Sequence, residues 1–240
     1  MKKNTLFLVA ALMVLAGCTQ TPAGTNLNTT TKVDTTGSMA KRLQNYRATY
    51  QFTNNAQLTG AVNNSEGTIT VYVMGDKVRE DVQITKVTTF TTGTLTSTVV
   101  LDRSYFYGVS AGQSTTCYRE ADTQDDPGCE SGSNEHPVDR GFDHEGYLQG
   151  TSYLSGTLAT NHSNLNTVNA RSADGTCAAF TDSSDTLKTS STREYCFNKE
   201  GVFEYFGQDY EQTSFMKSSQ RQTLTGVSLG TVQASDFDLN

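Results

Sequence analysis

Five cysteines, at positions 18, 117, 129, 177 and 196, are the residues with the most constrained chemistry in this 240-residue chain. None of their spacings is CxxC-like, so the close pairs that a structural zinc site draws on are missing. Cys18 stands apart, near the end of the one strongly apolar segment. The other four are an even number and suit disulfides in an oxidising compartment. Four cysteines allow three pairings. Neighbour pairing, Cys117 with Cys129 and Cys177 with Cys196, needs the fewest assumptions, because each bridge then closes a local excursion. Each bridge would contribute roughly 2–4 kcal/mol, mostly by restricting the unfolded chain.

The remaining chemistry is sparse. There are three histidines, His136, His144 and His162. Asp139, His144 and Glu145 could ligate a metal or hold a general base, since imidazole titrates near neutrality. In a polar loop the same side chains are more often simply solvated. Asp122, Asp125, Asp126 and Glu130 offer oxygen ligands for calcium but lack the spacing of a calcium-binding loop. No G-x-S-x-G elbow, GxGxxG or GxxxxGK[ST] loop is present. The expectation is a protein that is not an enzyme, with no metal site and no cofactor.

The elements that position these residues begin at the N-terminus. Lys2 and Lys3 precede a hydrophobic run from Leu6 to Leu15, the layout of a secretory signal. That run is shorter than the roughly 20 residues of a membrane-spanning helix. Leu15-Ala16-Gly17-Cys18 resembles the lipobox of prokaryotic lipoproteins. The resemblance implies removal of residues 1–17, lipid attachment to the Cys18 sulfur, and an extracytoplasmic domain anchored to the cell membrane or outer membrane. Thr19 is not Asp, so the bacterial inner-membrane retention signal is absent. Residues 18–38 are Thr-rich and nearly devoid of apolar side chains, and read as a flexible tether. Residues 39–240 are then one disulfide-bonded domain, large enough to bury a core.

Charge narrows the partners. The formal net charge of −7 becomes −9 once Lys2 and Lys3 depart. An acidic body repels nucleic acid and anionic headgroups. The partners expected are the membrane, reached through the lipid anchor, and a lipid or other hydrophobic ligand. Asn28, Asn63 and Asn161 open glycosylation sequons, which arise easily in a chain so rich in Asn, Thr and Ser.

Absence of Trp, few Pro and abundant Thr, Ser, Gly and Asn favour strands and turns. Ser38 to Tyr46 can make about two helical turns behind a Ser cap. From Arg47 the period is two. Ala48, Tyr50 and Phe52 share one face, as do Ile69, Val71 and Val73 in the next run. Gly75-Asp76 turns the chain into a strand placing Val78, Val82 and Ile84 inward with charge largely outward, a hairpin. Leu95–Leu101 and Tyr105–Val109 predict two strands, with Asp102-Arg103-Ser104 turning between them. Cys117 to Gly141 is acidic and aperiodic, a surface excursion. Phe142 to Leu158 predicts a loosely helical cover, with Tyr147, Leu154 and Leu158 on one face. Thr176–Phe180, Thr192–Phe197 and Val202–Phe206 return to strands, followed by Leu224–Leu229.

The short helix, the strand and the hairpin Tyr72-Val73-Met74-Gly75-Asp76-Lys77-Val78-Arg79 are similar to the opening of LolA/LolB-like lipoprotein-carrier domains. The late pattern of Cys177, Phe180, Cys196, Gly201 and Asp236-Phe237-Asp238-Leu239 resembles tethered lipoproteins of that broad type. The resemblance implies a mainly β (β-rich α+β) fold, a strongly curved antiparallel sheet forming an open half-barrel, with helices over an apolar concave face. Two function classes follow. In the leading one, Ile69, Val71, Val73, Val78, Val82 and Ile84 line a site for a lipid or other hydrophobic ligand on the concave face. In the other, the chain is a structural or adhesive surface lipoprotein whose core is closed by its own side chains. The aromatic residues of the strands, Tyr72, Tyr105, Phe106, Tyr107, Tyr195, Phe203, Tyr205 and Phe206, are explained by ordinary core packing.

Overall fold

Alternation of burial starts at Tyr46 and sets the inward face of the whole molecule. In the computed structural model, described for residues 45–90, 96–110, 113–120, 128–131 and 144–238, with side chains for 45–90 and 146–238, eleven strands form one sheet. Their ranges are β1 Asn45–Leu58, β2 Ala61–Met74, β3 Lys77–Phe90, β4 Thr96–Ser110, β5 Gln113–Glu120 and β6 Gly128–Ser131, then β7 Asn166–Val168, β8 Thr176–Ser184, β9 Thr189–Phe197, β10 Phe203–Gln212 and β11 Met216–Leu229. The spatial order is β6-β5-β4-β3-β2-β1-β11-β10-β9-β8-β7, with every pair antiparallel. Among the described residues the edges β6 and β7 do not pair, and the sheet is an open, curved half-barrel. The expected signal peptide and tether, Cys18, and the residues of the expected helix up to 44 lie outside the described residues. Asn45 and Tyr46, at that helix's end, instead open β1. Tyr46 pairs with Val73 and Leu229 on its two sides, and such tertiary pairing overrides local helix propensity.

The β2–β3 hairpin forms where Gly75-Asp76 was expected to turn, with Met74 opposite Lys77. Gly75 sits at φ +65°, as the first central residue of a two-residue type II′ turn requires. Lower in the hairpin, a Cβ on Gly67 would overlap the backbone of Gln83 and Ile84. Only glycine lets the two strands approach this closely. Gly67 lies opposite Phe52 on β1, where the large inward apolar side chains stop.

Two expectations are corrected. The turn placed at Asp102-Arg103-Ser104 does not exist: these residues pair with Gln83, Val82 and Asp81 in one unbroken β4. A continuous partner supplies the ladder that the local turn signal would have forfeited. The stretch from Cys117 onward is also not wholly irregular, since β5 and β6 form a hairpin with Cys117 opposite Cys129. The side chains of these two cysteines lie outside the described residues.

At the other side of the sheet, β8 and β9 place Cys177 opposite Cys196 with Cα atoms 4.1 Å apart, joined as a disulfide. Cys177→Ser should lower stability by about 3 kcal/mol, read as a fall in the denaturation midpoint that reducing agent reproduces in the parent chain. Non-reducing peptide mapping should recover Cys117 joined to Cys129 as a second bridge, and free thiols there would refute that pairing.

Over the apolar half of the inward face runs the cover: α1 (His144–Gln149), a π-helical turn (Leu154–Leu158) and α2 (Ala159–Asn161). Tyr147, Leu148, Tyr153, Leu154, Leu158 and Leu165 are all buried. Gly150, at φ +56°, ends α1 so close to the Gly201 carbonyl that a Cβ would strike it. The β9–β10 turn carrying Gly201 is shaped by Asn198, whose Oδ1 accepts from the Glu200 and Val202 N–H groups. The C-terminal segment ends in a 3-10 turn, Ala234–Phe237, which buries Phe237. Arg79 fixes it by donating to the Asp236 carbonyl while pairing with Asp81 at 2.7 Å.

Candidate functional site

The inward face divides into an apolar half and a polar half, and the residues expected to bind a ligand all fall in the first. Ile69, Val71 and Val73 from β2 and Val78, Val82 and Ile84 from β3 are brought together, and none is more than 6% exposed. They belong to one continuous core with Tyr46, Tyr50 and Phe52 of β1, Phe197, Phe203 and Phe206 of β9 and β10, and the cover. Tyr50, Tyr147 and Phe203 meet with ring centroids 5.6 to 6.0 Å apart, so aromatic side chains occupy the space above the hairpin.

A polar seam runs between sheet and cover. The Tyr46 hydroxyl donates to the Tyr147 carbonyl at 2.9 Å, and the Tyr50 hydroxyl to the Phe203 carbonyl at 3.1 Å. The Gln222 amide donates to the Tyr147 hydroxyl at 2.7 Å. Glu80 lies here too, only 4% exposed, on the inward face of β3 between Val78 and Val82. Alternation alone places it inward; its charge is what concealed it. Burial, with the Glu80 charge adding to it, pushes the Tyr46 hydroxyl far above the usual phenol range, and burial does the same to Tyr50. Both therefore act as neutral hydrogen-bond donors and do not exchange protons near neutrality.

Beyond Phe52 and Gly67 the same face turns polar. Register places Asn54, Asn63, Ser65, Lys86, Gln208, Ser191 and Arg193 there, half-buried. Gln208 donates to Ser191 at 3.3 Å. The outer face carries an open depression of about 400 Å³ lined by Asn55, Gln57, Ser190, Thr192, Asp209, Glu211, Lys217 and Ser219 among others. Its charges are matched internally: Arg221 grips Asp209 at 2.8 Å and Lys217 meets Glu211 at 2.8 Å.

The expected metal and acid–base residues are not assembled among the described residues. His136, Asp139, Asp122, Asp125 and Asp126 lie outside them. His144 and Glu145 open α1 and Glu130 sits on β6, with side chains likewise outside. His162 stacks on Phe180 at 3.7 Å and faces Asp182 at 3.7 Å. Burial lowers its basicity while Asp182 pulls the other way, so it is held as a packed aromatic. Cys177, Glu194 and Cys196 have ligand atoms within 4.8 Å of one another, but the two sulfurs are bonded together and cannot ligate. Glu194 is taken up by Arg171, which pairs with it at 3.0 Å and stacks over Tyr205 at 3.3 Å.

Comparison with known proteins adds little. No family model matches the chain, and no curated protein matches it. A solved structure described as a β-barrel-like protein of the domain of unknown function DUF1849, from Brucella abortus, overlays on 80% of this chain and 100% of its own, with 12% identity. Its TM-score is 0.21, too low a likeness to bear on the function of this half-barrel.

Proposed function

We propose that this chain is a non-catalytic lipoprotein of the cell envelope, held outside the membrane by an acylated Cys18 and a Thr-rich tether, and that its half-barrel is a structural or adhesive module. The observation that carries the closed-core reading is the burial of Ile69, Val71, Val73, Val78, Val82 and Ile84 beneath the chain's own cover. A hydrophobic ligand on that face would have to displace Tyr147, Leu154 and Leu158. The mature chain should accordingly show no saturable binding of a fluorescent fatty acid.

The lipid-binding reading is favoured by one feature, the make-up of the cover. Its helical pieces of six, five and three residues are too short to be stable alone. That reading requires them to leave the sheet together. Saturable fatty-acid binding, accompanied by loss of amide protection across residues 144–161, would establish that reading in place of the closed one.

The anchor has its own test. Cys18→Ser should abolish acyl labelling and move the protein to the washed soluble fraction, because stable attachment needs two acyl chains or their equivalent. Undiminished labelling would remove the lipoprotein reading.

A further inference from the structure

The end of the half-barrel opposite Asn45 carries apolar side chains in the open. Leu187 is 65% exposed and Phe215 is 50% exposed, with Phe90 at 40% farther along the same end of the sheet. Leu187 tops the β8–β9 hairpin and Phe215 the β10–β11 hairpin, while Phe90 closes β3 opposite Ala61. The register of every strand puts these tips and the Thr59-Gly60 turn at one end of the sheet.

The tips are tied into one rim. The Thr59 N–H donates to the Phe215 carbonyl at 3.2 Å, and the Thr213 N–H to the Lys188 carbonyl at 3.1 Å. Within the tips, the Phe215 N–H donates to the Gln212 carbonyl at 3.0 Å and the Leu187 N–H to the Ser184 hydroxyl at 3.3 Å. Lys188 and Ser214, next to the two apolar residues, hold left-handed conformations at φ 53° and 64°. We propose that this rim is a membrane-contact surface, with Leu187 and Phe215 inserting among the headgroups and upper acyl chains of an uncharged, zwitterionic bilayer.

Three observations select a bilayer as the occupant. Four backbone donors of the rim, at Thr59, Leu187, Thr213 and Phe215, are satisfied within the protein, as a medium that offers no hydrogen bonds demands of each donor it covers. The apolar groups stand on narrow turn tips, a form suited to penetration. And although the chain is acidic overall, charges of both signs balance at the two apolar tips: Asp185 and Lys188 stand on one, and Lys217 meets Glu211 at 2.8 Å at the other. A neutral rim avoids the repulsion that the body would feel from anionic lipid.

The geometry permits contact with the membrane that holds the chain. β1 spans about 45 Å at 3.3 Å per residue, whereas residues 19–44 reach about 90 Å when extended. The rim can therefore meet the same bilayer although the tether joins at the far end. This nearness rests on the anchored reading; insertion itself does not.

The chain contains no tryptophan, so a single introduced one reports alone. The mature chain with Cys18→Ser and Leu187→Trp, and a second with Phe215→Trp, should shift emission to the blue with phosphatidylcholine vesicles and be quenched by brominated acyl chains. Tyr72→Trp, at the opposite end, should do neither. Adding Phe215→Asp to the Leu187→Trp chain should lower partitioning about tenfold with an unchanged circular dichroism spectrum, since the side chain is exposed. Quenching absent at both rim positions, or equal at Tyr72→Trp, overturns the proposal. So does binding confined to anionic vesicles and lost in salt, or a rim that drives only self-association in solution. Because Cys18 is absent from these chains, a failed anchor shows in acyl labelling and a failed rim in quenching.

Discussion

Val73→Asp is expected to leave the domain unfolded at room temperature. Val73 is fully buried on β2, flanked in register by Tyr46 and Val78, with Ile69 and Val71 on the same face. An uncompensated buried charge costs several kcal/mol, and a domain of this kind holds only about 5–15 kcal/mol in total. The lost valine contacts add to the deficit, and Val73→Ala measures them separately at about 2 kcal/mol. Far-UV circular dichroism and a thermal melt report the result. A Val73→Asp variant that melts like the parent, yet binds fatty acid where the parent does so more tightly, would place a pocket at this face and decide for the lipid-binding reading.

Alkali should unfold the protein through Tyr46 and Tyr50. Both hydroxyls are fully buried, and burial raises both above an ordinary tyrosine, whose value near 10 applies in the unfolded chain. A group that holds its proton more tightly when folded contributes its full stability below the unfolded value and loses it as pH climbs beyond. For two such groups the loss approaches roughly 3 kcal/mol for each unit that pH climbs past the unfolded value. Unfolding followed against pH should be steep between about 10 and 12, and tyrosinate absorbance should rise with it. Tyr50→Phe, which gives up the bond to the Phe203 carbonyl, should lower neutral stability yet flatten this alkaline limb. A limb unchanged by the substitution would show that Tyr50 does not govern it.

Hydrophobic alternation made the β1–β2–β3 frame legible: Ala48, Tyr50, Phe52, Ile69, Val71, Val73, Val78, Val82 and Ile84 all face the core as their spacing indicates. Cover residues Tyr147, Leu154 and Leu158 were legible for the same reason, at helical spacing. What escaped did so on local grounds. Residues 207–223 build half of β10 and most of β11, but their polar inward positions, Gln208, Gln220 and Gln222, give no apolar period to read. Asp102-Arg103-Ser104 carries a turn signature that a partner strand overrules. Glu80 looks like a surface charge until the tyrosines of another strand and the cover close over it. The candidate face was recognisable as apolar. Whether lid or ligand fills it depends on how Tyr147 and Phe203, 56 residues apart in sequence, pack across it, and that is long-range information.

If the chain is anchored as proposed, the stubs at the two ends of the sheet bear on life at high surface density. A half-barrel that does not close leaves unpaired backbone along its outermost strands, and such ladders template the addition of a neighbour's strand. Here those strands are β6, with four residues, and β7, with three. Molecules confined to a plane meet far more often than free ones, and would do so in similar orientations. Among the described residues the outermost strands are ladders of only three or four residues, and the border takes in residues 180–184 of β8 and 96–102 of β4 beyond them. The long strand β1 is kept at the centre, where both of its sides are already paired.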